Sequence, residues 1–157
     1  MLGGTKHGAV LRPFLIEGSI NQFVYKELLE EKVLPLLKHR TTREQLYLMQ
    51  DGATCHTTPI NLEFLRSKLV GRVISNKTDL PWPPNSPDLN PLDFFFWGHS
   101  INHVFRTKPS TIWNLKSIVI DFAESMDSDL VQRTCESAKI RFEKLRQERG
   151  SHFEHLL

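Results

Sequence analysis

Residues 78–91 contain five prolines, Pro81, Pro83, Pro84, Pro87 and Pro91, with Trp82 among them. Proline fixes φ and lacks a backbone donor, so neither a helix interior nor a central strand can pass through this stretch. It reads as an ordered, extended loop, because proline lowers the entropy of the unfolded segment. The loop separates two kinds of pattern: strands and helices alternate before it, and only helices follow it. The chain has 157 residues, a length that fits about one domain.

Before the loop, residues 10–16 are short and apolar and contain Pro13, which predicts an edge-type strand. Gly18 turns the chain. Ser19, Ile20, Asn21 and Gln22 match a capping box, in which Ser19 caps and Gln22 reaches back. Ile20, Phe23, Val24, Leu28 and Leu34 then share one helical face, and the helix is expected to end near Pro35 to Leu37. Lys38, His39, Arg40 and Arg43 form a basic connection. Leu46, Tyr47, Leu48 and Met49 are all apolar or aromatic, so residues 45–50 read as a strand covered on both faces. Asp51-Gly52 is a turn signal. Thr58 and Pro59 suit the N-cap and first position of a helix lined by Leu62, Leu65 and Leu69, and Gly71 suits its end. Residues 72–74 predict a second, parallel strand. The three elements make a βαβ unit with a right-handed crossover.

After the loop, a helix should start at Asn90-Pro91 and carry Asp93, Phe94, Phe95, Phe96 and Trp97 to about Phe105, with the aromatic cluster in a core. Ser110 or Thr111 can cap a second helix lined by Ile112, Leu115, Ile118, Val119, Phe122 and Met126. A capping box over Asp129 to Gln132 predicts a third. Its apolar stripe is Val131, Thr134, Cys135, Ala138, Phe142 and Leu145. Its other face carries Lys139, Arg141, Lys144, Arg146 and Arg149.

The formal net charge is +2. That excludes a strongly basic wrapping protein but leaves room for a local basic patch. Two cysteines, Cys55 and Cys135, cannot build a disulfide framework, and a reducing compartment is the simple expectation. No stretch reaches the roughly 18 apolar residues of a membrane span, and residues 1–8 lack the apolar centre of a secretory signal.

Asp51 stands where a covered strand ends, the edge at which open α/β sheets usually bind ligands. Asp93 stands at the start of an aromatic-rich helix, and 41 residues separate the two. Two such carboxylates, if brought together, make an oxygen-lined site for Mg²⁺, which completes its octahedron with water and substrate phosphate. Each acid also has a structural explanation. Asp51-Gly52 is turn chemistry, and Asp93 at the third helical position favours the helix dipole. Asp88 reads as an Asx-turn residue. His56 is either a metal ligand or a hydrogen-bonding structural residue. The Cys and His spacing does not match a zinc finger.

The segment Gln50-Asp51-Gly52-Ala53-Thr54-Cys55-His56 and the long motif WPPNSPDLNPLDFFFWG at residues 82–98 resemble mariner-type DDE/D transposases. Phe14-Leu15-Ile16-Glu17-Gly18, Tyr25 and Leu34-Pro35 resemble the segment that precedes the second acidic motif, so the likeness runs from about residue 8 onward. It implies a truncated ribonuclease H-like α/β fold, a mixed sheet with a βαβ unit, over residues 1–109, then C-terminal helices over 110–157. By motif, Asp51 matches the second catalytic aspartate and Asp93 the third acidic residue, both ligands of Mg²⁺ or Mn²⁺ in a two-ion site. The interval of 41 is longer than the family commonly shows, with the extra length placed in residues 71–85. The first catalytic aspartate and the helix-turn-helix region are expected to precede residue 1, and Glu17 is not taken as a substitute ligand.

The resemblance therefore implies a fragment of a DNA transposase catalytic domain, with an incomplete cation site and no activity in isolation. DNA is the expected partner, with Arg40, Arg43, Lys77, Arg106 and Lys108 as phosphate contacts. Self-association and a nuclear location are further expectations. The alternatives are a non-catalytic remnant that binds nucleic acid or its own copies, motivated by the basic face of the last helix, and an unrelated α/β protein whose two acids serve a turn and a cap.

Overall fold

Asn21, rather than Ser19, starts the first helix. The computed structural model, which describes residues 13–38 and 47–148, shows the Asn21 side chain accepting from the amides of Phe23 (2.9 Å) and Val24 (3.1 Å). Asn caps as well as Ser, and starting two residues later turns Tyr25, Leu28, Leu29 and Val33 inward. The expected apolar face is thus rotated, leaving Ile20 and Phe23 exposed.

Helix α1 (Gln22–Leu28) runs into a π-helical turn, Leu29–Val33, and then into α2 (Leu34–Lys38). The Leu34 amide donates to the Leu29 carbonyl, five residues back. Pro35 gives a reason for the widened turn. Its ring crowds the carbonyl four residues earlier and it has no N–H, so an extra residue in the turn relieves the clash.

Strand β1 (Leu48–Met49) pairs in parallel with β2 (Val73–Ile74), Leu48 opposite Val73 and Met49 opposite Ile74, and α3 (Pro59–Lys68) lies between them in sequence. The βαβ reading is therefore met. The strand is shorter than expected and not covered on both faces: Tyr47 is exposed, and Leu48 and Met49 are half-buried. Residues 13–16 carry no strand pairing, in contrast to the edge strand read over 10–16, whose first residues lie outside the described ones.

Helix α3 begins at Thr58 with Pro59 at its first turn, as read, and buries Asn61, Leu62 and Leu65. It packs on α1. Gly71 follows its end with φ +68°, a left-handed conformation that glycine adopts without Cβ strain. After β2, the Thr78 hydroxyl accepts from the Ser75 amide and lies within 3.0 Å of the Val73, Ser75 and Leu80 carbonyls. Trp82 is buried in the proline-rich stretch, which fits an ordered loop. These elements belong to one compact unit, Ile16–Asn85.

From Ser86 onward a second unit is helical. A 3₁₀ turn (Pro87–Leu89) and a π-helical turn (Leu92–Phe96) lead into α4 (Trp97–Thr107), followed by α5 (Ile112–Glu124) and α6 (Ser128–Gln147). Phe96 and Ala123 are buried, with Leu92, Phe95, Phe122 and Met126 packed against them. The aromatic run is thus core at Phe96, while Trp97 stays exposed. Thr111 caps α5 by accepting from the Asn114 amide. Asp127, not Asp129, caps α6 by accepting from the Leu130 amide at 2.8 Å, so the capping box read over 129–132 is displaced into the helix. The α6 stripe is as read at Val131, Thr134 and Ala138, all buried. No helix among the described residues is long and apolar enough to cross a membrane.

Candidate active site

Asp51 leaves the sheet immediately after β1, where the last ladder bond runs from the Gln50 amide to the Ile74 carbonyl at 3.0 Å. Its Oδ1 accepts from the Ala53 amide at 3.0 Å, closing an Asx turn. The same oxygen takes the Nδ1–H of His56 at 2.6 Å. A carboxylate oxygen accepts, so Nδ1 is the protonated ring nitrogen in this pair. Both contacts fall on Oδ1, and Oδ2 has no hydrogen-bond partner among the described residues. The side chain is 47% exposed. The turn explanation and the ligand explanation of Asp51 are thus compatible: one oxygen makes the turn and the other is left for a further partner.

Gly52 matters through close approach. A Cβ at this position would lie 2.7 Å from Nδ2 of Asn76, so the turn after β1 meets the side chain that follows Ser75, and a methyl group here would displace the end of that side chain.

Behind Asp51 lies a buried polar cluster. The Tyr25 hydroxyl donates to Oε1 of Gln50 at 2.7 Å. Nε2 of Gln50 donates to the His56 carbonyl at 2.8 Å and to Oγ of Ser75 at 3.0 Å. Tyr25, Gln50 and Ser75 are all buried, and leaving any of these groups unpaired would cost about 1–3 kcal/mol. The Tyr25 ring also packs on the His56 ring, centroids 4.4 Å apart. Burial, and to a smaller degree the nearby Cys55 and Asp51, push the Tyr25 phenol well above its ordinary value, keeping it a donor. Asn61 joins the same region by donating to the Gln22 carbonyl (2.9 Å) and the Cys55 carbonyl (2.7 Å). Sequence patterns did not single out Ser75 or Asn61. Gln50 offered a signal: a polar residue in an otherwise apolar strand needs a buried partner.

Asp93 lies in the second unit, in the first turn of the π-helical segment Leu92–Phe96, and is exposed. Its Oδ2 accepts from Nδ2 of Asn90 at 2.8 Å, while Oδ1 of Asn90 accepts from the Leu92 amide at 3.1 Å. The cap expected at Asn90 is formed. Asp88 does not make an Asx turn. Its backbone carbonyl accepts from Nη1 of Arg141 at 3.1 Å, and the Arg141 guanidinium sits 4.1 Å from the centre of the Phe94 ring. Arg141 is therefore turned inward onto the motif carrying Asp93, a departure from its expected place on the basic face of the last helix.

Lys77, Arg106 and Lys108 are exposed. Lys77 and Lys108 sit in left-handed turns, φ 61° and 49°. Arg40 and Arg43 lie outside the described residues. Burial chiefly holds the thiols of Cys55 and Cys135 above their ordinary value, which keeps them protonated. Among the described residues no three His, Cys, Asp or Glu side chains gather as a metal cluster. A hard cation that keeps its waters needs only one or two carboxylates, and Asp51, with one oxygen anchored and the other unpaired, has donor chemistry of that kind. A two-ion site needs further acids beyond the Asp51 turn.

No protein-family model matches the chain. The transposable element Tc3 transposase of Caenorhabditis elegans is 25% identical over 139 residues, covering 87% of this chain and 39% of the relative. The Tcb2 transposase of Caenorhabditis briggsae is 30% identical over 111 residues, covering 70% of this chain and 37% of the relative. The chain thus spans less than two-fifths of the length of these curated relatives. The crystal structure of the Mos1 mariner paired end complex with Mn superposes with a TM-score of 0.79 at 20% identity, over 94% of this chain and 43% of that one. The shared fold is the ribonuclease H-like one. In sequence this chain is similar to two transposases, in fold to the catalytic core of a third, and it carries two acidic motifs in order, a combination that supports a mariner-type transposase fragment.

Proposed function

We propose that this chain contributes to metal-dependent cleavage and strand transfer of DNA, with Asp51 and Asp93 as the acids it supplies to the cation site. The observation that carries the reading is Asp51: a half-exposed carboxylate at the C-terminal end of a parallel strand, anchored through Oδ1 alone. Mos1 catalytic-domain structures with Mn and with Mg support a divalent ion, and a Mos1 paired-end complex with a left transposon end supports a nucleic-acid partner. When bound, Mg²⁺ or Mn²⁺ would supply activation of the attacking oxygen and stabilisation of the leaving one. The chain's own residues hold and orient. The Ala53 amide and His56 fix the Asp51 carboxylate, Asn90 holds one oxygen of Asp93, and Arg141 with Phe94 steadies the segment around Asp93. Exposed Lys77, Arg106 and Lys108 offer salt-sensitive phosphate contacts. The nucleus is the proposed place of action, as follows from a DNA substrate.

Because a two-ion site needs more acids than these two, the chain alone is proposed to be inactive. Nicking of supercoiled DNA with Mg²⁺ or Mn²⁺ tests this. No nicking is expected from the isolated chain. Robust nicking lost in Asp51→Asn and in Asp93→Asn would overturn the incompleteness while keeping both acids. Nicking that survives both substitutions would remove the two acids from the mechanism. DNA binding should weaken steeply with salt, and unmeasurable binding at about 50 mM salt would remove DNA as the partner.

A further inference from the structure

Nothing in the cation reading by itself explains why a histidine stands five residues after Asp51. The geometry supplies a reason. Nδ1 of His56 reaches the same Asp51 oxygen as the Ala53 amide, at 2.6 Å. The His56 residue is itself restrained on three sides. Its amide donates to the Ala53 carbonyl at 2.9 Å, its carbonyl accepts from Gln50 at 2.8 Å, and its ring lies against Tyr25. Tyr25 and Gln50 are held in turn by each other and by Ser75, so the ring is tied to α1, to the residue leaving β1 and to the residue leaving β2.

An aspartate in an open turn can rotate either oxygen outward. Two donors on a single oxygen remove that freedom, and the orientation of a metal-ligating carboxylate by such a partner commonly changes cation affinity by about 10–100-fold. We propose that His56 is a positioning residue, held by the Tyr25–Gln50–Ser75 cluster, that presents Oδ2 of Asp51 to a divalent cation. The inference rests on the reading of Asp51 as a cation ligand. The bond that matters is the one from Nδ1, which fixes what can replace it. The side-chain amide of Asn can occupy the place of Nδ1, whereas that of Gln reaches the place of Nε2.

The test is a Mn²⁺ titration of the full chain, followed by paramagnetic broadening of the NMR signals of residues 51–56, with thermal melts of each variant alongside. The parent should show saturable broadening at this turn, and Asp51→Asn should lose it. His56→Gln should bind about tenfold more weakly, and His56→Asn should stay within about threefold of the parent, with melting temperatures that do not track the affinities. Parent-like binding by His56→Gln, alongside loss in Asp51→Asn, would overturn the positioning role and leave the cation reading standing. Equal weakening in His56→Gln and His56→Asn would also overturn it, since the Nδ1 bond would then not be what acts. Absence of broadening in the parent, or its persistence in Asp51→Asn, would remove the cation reading and this inference with it.

Discussion

The two acids of this chain are supported by different physics. Asp51 stands in front of a buried polar cluster in which Tyr25, Gln50, Ser75 and the His56 carbonyl satisfy one another. Asp93 stands on a helix start whose neighbours build an apolar core: Phe96 is buried, Leu92, Phe95 and Phe122 pack in its cluster, and Arg141 lies over Phe94. A polar cluster fixes direction, because hydrogen bonds fail when groups rotate. An aromatic core fixes position through packing and tolerates small rotations. The strand-end carboxylate is therefore oriented by donors that a buried polar cluster backs, and the helix-start carboxylate by Asn90 on a turn that an apolar core backs.

This contrast can be broken most forcefully at Phe96. Truncation to Ala should cost about 3–5 kcal/mol, read by urea unfolding, and hydrogen exchange should speed up in α4 and α5 while the amides around β1 and β2 keep their protection. Equal loss of protection in both units would show that the two supports are not separate. Next is Gln50→Leu, which strands the Tyr25 hydroxyl, the His56 carbonyl and the Ser75 hydroxyl. It should cost about 2–4 kcal/mol, from about 1–3 for each buried group left unpaired and partly relieved by the added apolar volume. A change under about 1 kcal/mol would mean that the cluster is not what holds the turn.

Alkaline pH sharpens the comparison with a smaller effect. Burial raises the Tyr25 phenol above the unfolded value near 10. Its contribution is therefore complete below about pH 10 and is lost as pH rises further, by at most about 1.4 kcal/mol per pH unit. Tyr25→Phe should flatten the alkaline slope by one proton's worth in denaturant melts taken between pH 9 and 11. An unchanged slope would contradict the burial of the phenol. The smallest effect is at the helix that carries Tyr25. Asn21→Ala should cost about 1 kcal/mol, while Ser19→Ala should stay within about 0.5 kcal/mol; the reverse ranking would restore Ser19 as the cap.

Much of this architecture was legible in the sequence. The βαβ unit followed from a short apolar run, an Asp-Gly turn, a Thr-Pro helix start and Gly71. The α6 stripe followed from its period, and Asn90 was readable as a cap. The errors came where local signals competed. Ser19 and Asn21 are both competent caps, and the burial of Tyr25 against Gln50 decided between them. Asp127 and Asp129 posed the same choice for α6. Arg141 reads as a solvent-facing charge by its helical position, because a long side chain that folds back over an aromatic ring leaves no trace in periodicity. The site was legible as two acids in two motifs. Its supports were not, since Tyr25, Gln50 and Ser75 lie 25 residues apart at each step of the hydrogen-bond chain, and only the parallel pairing of β1 with β2 brings the last two together.

The crowding between Gly52 and Asn76 has a consequence for how this turn can vary. A Cβ at position 52 would lie 2.7 Å from Nδ2 of Asn76, so a larger residue at 52 requires the end of the Asn76 side chain to swing aside. Gly52→Ala alone would displace the end of the Asn76 side chain, whereas Gly52→Ala with Asn76→Gly would need no such movement. The turn that holds the Asp51 carboxylate and the segment after β2 thus adjust to each other through one side chain, Asn76.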